Sequence, residues 1–180
     1  MKKTLLIAVI LLSHTIVAQK YFTRTGSTNF KASVEAFEAV EATNNSTSVV
    51  LKADSGDIAA LLLIKAFKFK VALMQEHFNE NYMDSDKYPK ATFRGKIEGF
   101  NLSEIDTKKE YKIKGSLTVR GVKKDIETRG TFSKSGNGLK LNATFSVKPQ
   151  DFDIKIPSIV RKKIAKSINV TLDYELNEKK

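Results

Sequence analysis

From Tyr111 to Val147 apolar and polar side chains alternate through three successive segments with no helical segment between them. Tyr111, Ile113, Leu117 and Val119 oppose Lys112, Lys114, Ser116, Thr118 and Arg120, with Gly115 taking one inward place. After a turn at Gly121, Val122, Ile126 and Phe132 oppose Lys123, Asp125, Glu127 and Arg129. Gly136, Asn137 and Gly138 make the next turn, and Leu139, Leu141, Ala143, Phe145 and Val147 oppose Lys140, Asn142, Thr144 and Ser146. Successive side chains of a strand point to opposite faces, so each segment reads as a half-buried strand. Parallel neighbours need crossovers of about a dozen residues or more, and the turns here are far shorter. The sheet must be antiparallel.

The rest of the chain extends this pattern. Tyr21 to Asn29 reads as an opening arm or short strand. Phe30, Ala32, Val34 and Ala36 then alternate with Lys31, Ser33 and Glu35, and a weaker alternation runs from Phe37 to Ala42. Asn44 and Asn45 signal a turn, which suggests a hairpin. Val49 to Asp54 is a short strand, Ser55 and Gly56 turn the chain, and Asp57 to Val71 is long and apolar. Pro149 ends the strand that begins at Leu139, Gln150 to Lys166 is a basic excursion, and Ile168 to Leu176 alternates once more. Eight or nine strands at this spacing suit an antiparallel sandwich or barrel.

One segment differs. In Leu73 to Gly95 the apolar Met74, Phe78 and Tyr82 recur at i, i+4 and i+8, with Leu73 and His77 beside them, giving a short helix Val71 to Tyr82 with one apolar face. Asp84 to Pro89 closes it, and Ala91, Phe93 and Ile97 begin a strand. The run Leu73, Met74, His77, Phe78, followed by Lys87, Tyr88, Pro89 and Phe93, resembles the YceI-like family of exported, polyisoprenoid-binding proteins. Lys114 to Lys123, KGSLTVRGVK, is similar to that family's G-x-L-x-x-x-G-x-x hairpin, so two separated motifs agree in order. The resemblance spans roughly the middle third of the chain. It implies an all-β fold, an antiparallel lipocalin-like barrel of about eight strands with one short helix packed against it, holding a long isoprenoid tail.

Residues 1–18 carry two lysines, an apolar run from Leu5 to Leu12, and Ala18 at the end, the layout of a cleaved secretory signal peptide. The run is shorter than the about 20 residues a spanning helix needs. The expected mature domain is 19–180, in the periplasm, one domain by length. Without Lys2 and Lys3 the basic residues fall from 31 to 29 against 20 acidic ones, and the formal charge from +11 to +9. The chain has no cysteine, which removes disulfides and thiol nucleophiles. Its stability must come from its core.

Catalysis fails on inventory. His77 is the one histidine past the leader, too few for a two-histidine metal site or a serine triad. The carboxylate pairs Glu76 and Glu80, and Asp151 and Asp153, read equally as solvated charges. The sequence calls for no metal and no cofactor. An excess of inward phenylalanines fits either a filled core or a tunnel, since an eight-stranded barrel is just wide enough for one or the other. The tunnel follows from the family resemblance, and its candidate wall is Phe67, Phe69, Leu73, Met74, His77, Phe78, Phe93, Leu117, Phe132, Leu141, Phe145 and Val170. His77 reads either as a helix-face histidine or as a donor to a ligand head group at the mouth. Lys155, Arg161, Lys162, Lys163 and Lys166 surround Ile159, Val160 and Ile164, as a solvated turn or as a peripheral contact with an anionic membrane surface. Nucleic acid is set aside, because the charges are spread over outward strand positions without stacking aromatics. The reading is an exported binding protein for a long-chain isoprenoid-type lipid, with a homodimer left open. Its rivals are a filled barrel with a structural or stress-related interaction role, and a hydrolase. Intact-mass analysis of protein taken from the native envelope should give a chain that starts at Gln19; recovery of full-length chain from the cytoplasm counts against the leader.

Overall fold

The computed structural model describes residues 19–34, 39–105 and 107–179. The expected leader and the positions of Glu35, Ala36 and Phe37 lie outside them. The elements are β1 (Lys20–Ser33), β2 (Glu41–Lys52), β3 (Asp57–Leu63), β4 (Lys68–Phe69), α1 (Ala72–His77), β5 (Lys90–Ile97), β6 (Lys109–Val119), β7 (Val122–Ser135), β8 (Gly138–Val147) and β9 (Ile164–Glu178). Eight strands follow one another antiparallel in the order β1, β9, β8, β7, β6, β5, β3, β2, and β2 pairs back onto β1. The sheet closes into an antiparallel eight-stranded barrel, and β4 adds a two-residue pairing with β2 at Ala42 and Thr43.

The two ends of the barrel are built differently. At one end the connections are compact: residues 53–56, 98–108 and 136–137, with the starts of β1 and the end of β9 alongside. At the other end lie the long connections 64–89 and 148–163 and the two-residue hairpin of Arg120 and Gly121. Both hairpin residues have positive φ, at 51° and 77°. This is the tight turn whose twist matches a β-ribbon, and glycine fits its second place. A Cβ on Gly121 would lie 2.8 Å from the Tyr88 ring. Arg120 stacks its guanidinium over that ring at 5.6 Å and donates from Nη1 to the Asp153 carbonyl at 3.1 Å. The two separated sequence motifs around Tyr88 and Gly121 therefore meet in space at this end.

Several boundaries differ from the sequence reading. Tyr21 to Asn29, read as an arm or a short strand, is strand and forms the first part of the longer β1. Asn44 and Asn45 do not turn the chain; they lie inside β2, where the register with β1 shifts between Gly26 and Thr28. The Asn44 side chain is fully buried, donating to the Leu63 carbonyl and accepting from Ser46, so its turn-forming chemistry is used in a bulge. The hairpin instead lies between Ser33 and Glu41, and Val34 is exposed rather than inward. Asp57 to Val71 is broken by a single tight helical turn, Ile64–Ala66. The last strand begins at Ile164, not Ile168.

The compact end is packed solid. Val49, Leu51, Ile97, Ile105, Phe132, Leu139, Leu141 and Leu176 are buried together, with Phe100, Tyr111 and Phe132 in edge or tilted ring contacts. Above them Thr28, Thr47 and Tyr174, on the three strands that close the barrel, form a hydroxyl chain. Thr28 Oγ1 lies 2.8 Å from both Thr47 Oγ1 and the Tyr174 hydroxyl. Burial pushes the Tyr174 phenol up from 10.0 to about 12, against the opposing pull of its hydroxyl partners. A folded-state pKa above the unfolded one stabilises fully below pH 10, and that contribution is lost as pH rises through 12. Two pH units correspond to about 3 kcal/mol at most. Denaturant titrations between pH 9 and 12 should show this alkaline loss in the wild type and a shallower one in Tyr174→Phe; equal slopes would show that Tyr174 ionises as freely in the fold as outside it.

Candidate functional site

In the other half of the barrel Ala91 and Val119 pack with Ile64 and Met83 near the rim, but the inward side chains do not fill the bore. Phe93, Leu117, Ile126, Phe145 and Val170 all point inward by register, yet all are only half-buried, whereas their counterparts at the compact end are buried almost completely. What touches their exposed sides is empty space. It forms a hollow of about 500 Å³, partly open to solvent, within the range of about 300 to 1,000 Å³ usual for ligand pockets. Its floor is Thr28, Thr47, Ile58, Ile113, Leu141 and Tyr174, just above the packed core. Its walls are almost wholly carbon: Phe30, Ala60, Ala91, Phe93, Leu117, Val119, Ile126, Phe145, Val147, Ile168, Val170 and Leu172.

Two long connections complete the upper wall. On one side, Phe67, Phe69, Met74, Phe78, Tyr82 and Met83 come from the segment between β3 and β5. Phe30, Phe67, Phe69 and Phe78 form one aromatic cluster, in which five of the six ring pairs have centroids 5.1 to 5.7 Å apart. Such pairs add about 0.5 to 1.5 kcal/mol each beyond burial, enough to hold a helix of under two turns against the rim. On the other side, Phe152, Ile154, Ile156 and Val160 come from the segment before β9, and Ile164 from its first position. Among the described lining residues the basic side chains are His77 and Lys163, and both are exposed, so they mark the mouth.

A wide bore also needs a flat wall. Gly95 and Gly115 face each other across β5 and β6, and a Cβ on either would come within 2.7 Å of the Phe93 ring. That is closer than real Cβ contacts allow. The missing side chains let Phe93 lie along the sheet instead of across the hollow.

The model of the YceI-like domain matches residues 12–176. The chain belongs to the YceI-like family. No curated protein matches the sequence. Among solved structures the YceI-like chain is similar to a polyisoprenoid-binding domain from Saccharophagus degradans, with TM-score 0.75, 12% identity, and 89% of this chain and 98% of that one covered. It is similar to Burkholderia cenocepacia BcnA, with TM-score 0.70, 16% identity and coverage of 83% and 95%. Campylobacter jejuni YceI matches with TM-score 0.66, 20% identity and coverage of 80% and 88%. At these identities the likeness is one of fold.

Of the residues that the sequence nominates for this YceI-like site, the structure brings ten to the hollow: Phe67, Phe69, Met74, His77, Phe78, Phe93, Leu117, Leu141, Phe145 and Val170. Two lie elsewhere. Leu73 is 56% exposed, because it sits about a quarter-turn from Met74 and the rim contacts fall to Met74, His77 and Phe78. Phe132 has the right face but the wrong height, and is fully buried in the compact-end core. The helix also departs from its i, i+4, i+8 expectation. After His77 it widens into a π-turn, Phe78–Tyr82, in which the Met83 amide bonds back to the Phe78 carbonyl, and Met83 becomes a buried anchor. Sequence reasoning passed over Phe152, Ile154 and Ile156, although their alternation within a segment read as a charged excursion was a signal for an inward face. The carboxylates Glu76 and Glu80 edge a separate, polar hollow on the outer side of the helix, and Asp151 and Asp153 are exposed.

The difference in height has a measurable consequence. Phe132→Ala should leave a void in packed core and cost about 3 to 5 kcal/mol, while Phe145→Ala, already bordering empty space, should cost less than about 2 kcal/mol. Urea unfolding of both variants tests this, and equal losses would mean that the upper half is as tightly filled as the lower.

Proposed function

We propose that this protein binds a long-chain apolar lipid of the isoprenoid type in the hollow upper half of its barrel. The observation that carries this reading is the lining itself: a tube walled by aliphatic and phenylalanine side chains, closed below by packed core and reaching solvent at His77 and Lys163. The similar Saccharophagus degradans domain is described as polyisoprenoid-binding, which supports the same ligand class here. Each methylene removed from water contributes about 0.8 kcal/mol. A tail of about ten such groups thus offsets a large part of the estimated 4 to 15 kcal/mol cost of association. An apolar wall of this kind recognises length and girth, and leaves the head group to His77 and Lys163 at the mouth.

The reading is binding rather than turnover, since among the described lining residues no nucleophile stands beside a base. Export by cleavage of residues 1–18 into the periplasm belongs to the same reading, supported by the leader's charge and apolar run.

Val170 faces the hollow between Phe145 on β8 and Phe30 on β1. Val170→Trp should fill the bore and weaken uptake of a fluorescent polyprenyl analogue about tenfold or more, while the fold survives, since the added ring enters space rather than packed core. Titration should give about one analogue per wild-type chain. A wild type that takes up no analogue would return the barrel to a structural or interaction role, and analogue hydrolysis would make it an enzyme.

A further inference from the structure

The segment from Asp153 to β9 has a composition unlike the rest of the surface. Between Asp153 and Asp173 there is no acidic residue, and Lys155, Arg161, Lys162, Lys163 and Lys166 are all exposed. Several cations of the barrel wall are paired locally, Lys112 and Lys114 with Glu127, Lys114 with Glu98, Arg129 with Glu110 and Lys140 with Asp173. None of the five basic residues of this segment has an ion-pair partner among the described residues.

In the middle of this charge stands Ile159, 87% exposed at the tip of the turns held by the Val160 amide on Pro157 and the Arg161 amide on Ser158. Its neighbour Val160 lines the hollow, so the tip is the outer face of the mouth. The helix segment at the same end presents Leu73, 56% exposed, and Val71 beside it. Large aliphatics turned fully outward, ringed by uncompensated cations, are costly in water and complementary to a bilayer surface, where the aliphatic enters the acyl boundary and the cations meet phosphates. A nucleic-acid surface fits less well, because this turn offers no aromatic ring for stacking and its apolar tip would stay in water.

We infer that the mouth of the barrel docks on an anionic lipid bilayer, with Ile159 as the inserted tip and Lys155, Arg161, Lys162 and Lys166 as its contacts to lipid phosphates. This places the hollow over the membrane, so that an apolar chain passes between bilayer and barrel without crossing open water. The inference stands apart from the identity of the ligand, because vesicle binding and uptake of a polyprenyl analogue in vesicle-free solution are separate measurements.

The test is co-sedimentation of the full mature chain with vesicles of phosphatidylcholine alone and of phosphatidylcholine with one-third phosphatidylglycerol. The wild type should bind the mixed vesicles, release at high salt, and ignore the neutral ones. The variant Lys155→Gln, Arg161→Gln, Lys162→Gln, Lys166→Gln keeps Lys163 and the lining, and should lose binding about tenfold or more, each cation near such a surface being worth roughly fivefold. A charge-matched variant at the compact end, Lys20→Gln, Lys96→Gln, Lys108→Gln, Lys179→Gln, should lose little. Ile159→Asp should weaken binding with the cations intact. Absence of wild-type binding to mixed vesicles overturns the proposal, as do equal losses in the two charge variants. Retention of a short DNA duplex at the same salt through the same four residues would make this a nucleic-acid surface instead.

Discussion

The hydroxyl chain of Thr28, Thr47 and Tyr174 is where the barrel is both sewn shut and divided. Its members belong to β1 and its two neighbours, β2 and β9, so the Thr28–Thr47 bond crosses the β1–β2 seam that closes the tube and the Thr28–Tyr174 bond ties the first strand to the last. Long-range strand pairing of this kind brings residues 146 apart in sequence together, and a hydroxyl left alone in that interior would be penalised by about 1 to 3 kcal/mol. Gly26 makes the chain possible, because a Cβ there would stand 2.6 Å from the Tyr174 ring. Below this level side chains meet across the barrel; above it they pack at the rim and leave the bore hollow.

An eight-stranded barrel is wide enough either to fill with side chains or to hold one small ligand. This chain does each at a different height. Phe100, Tyr111 and Phe132 plug the lower half, and in the upper half the wide residues are drawn to the rim, where four phenylalanines pack on one another and not across the bore. The Gly95 and Gly115 pair acts in the same direction by letting Phe93 lie flat.

This division explains what the sequence made legible. Alternation reports which face of a strand a residue occupies, and it located β6, β7 and β8 closely because each has one wet face and one apolar one. It does not report height along the barrel, so Phe132 and Phe145, equally inward by pattern, could not be told apart. Turn chemistry misled at Asn44, where an asparagine satisfied by Ser46 and the Leu63 carbonyl sits in a bulge within a long strand. The face of the helix was read to within a residue or two: Leu73 falls about a quarter-turn off the lining face, and Met83 was missed because a π-turn changes the period after His77. The excursion before β9 hid its inward face, since its lysines and arginine dominate the composition around Phe152, Ile154 and Ile156.

Both ends of the described chain leave from the compact end. The Gln19 amide group reaches the Glu178 carboxylate at 2.7 Å, and the Lys179 backbone amide bonds to the Lys20 carbonyl at 2.7 Å. At about 3.3 Å per residue along tilted strands, that is roughly 30 Å from the mouth. A fusion partner, an affinity handle or a surface tether joined at either end thus stands off the working rim by the length of the barrel. The same adjacency makes the molecule a natural candidate for circular permutation, with the old ends bridged by a short linker and new ones opened at the 136–137 turn, leaving the rim untouched.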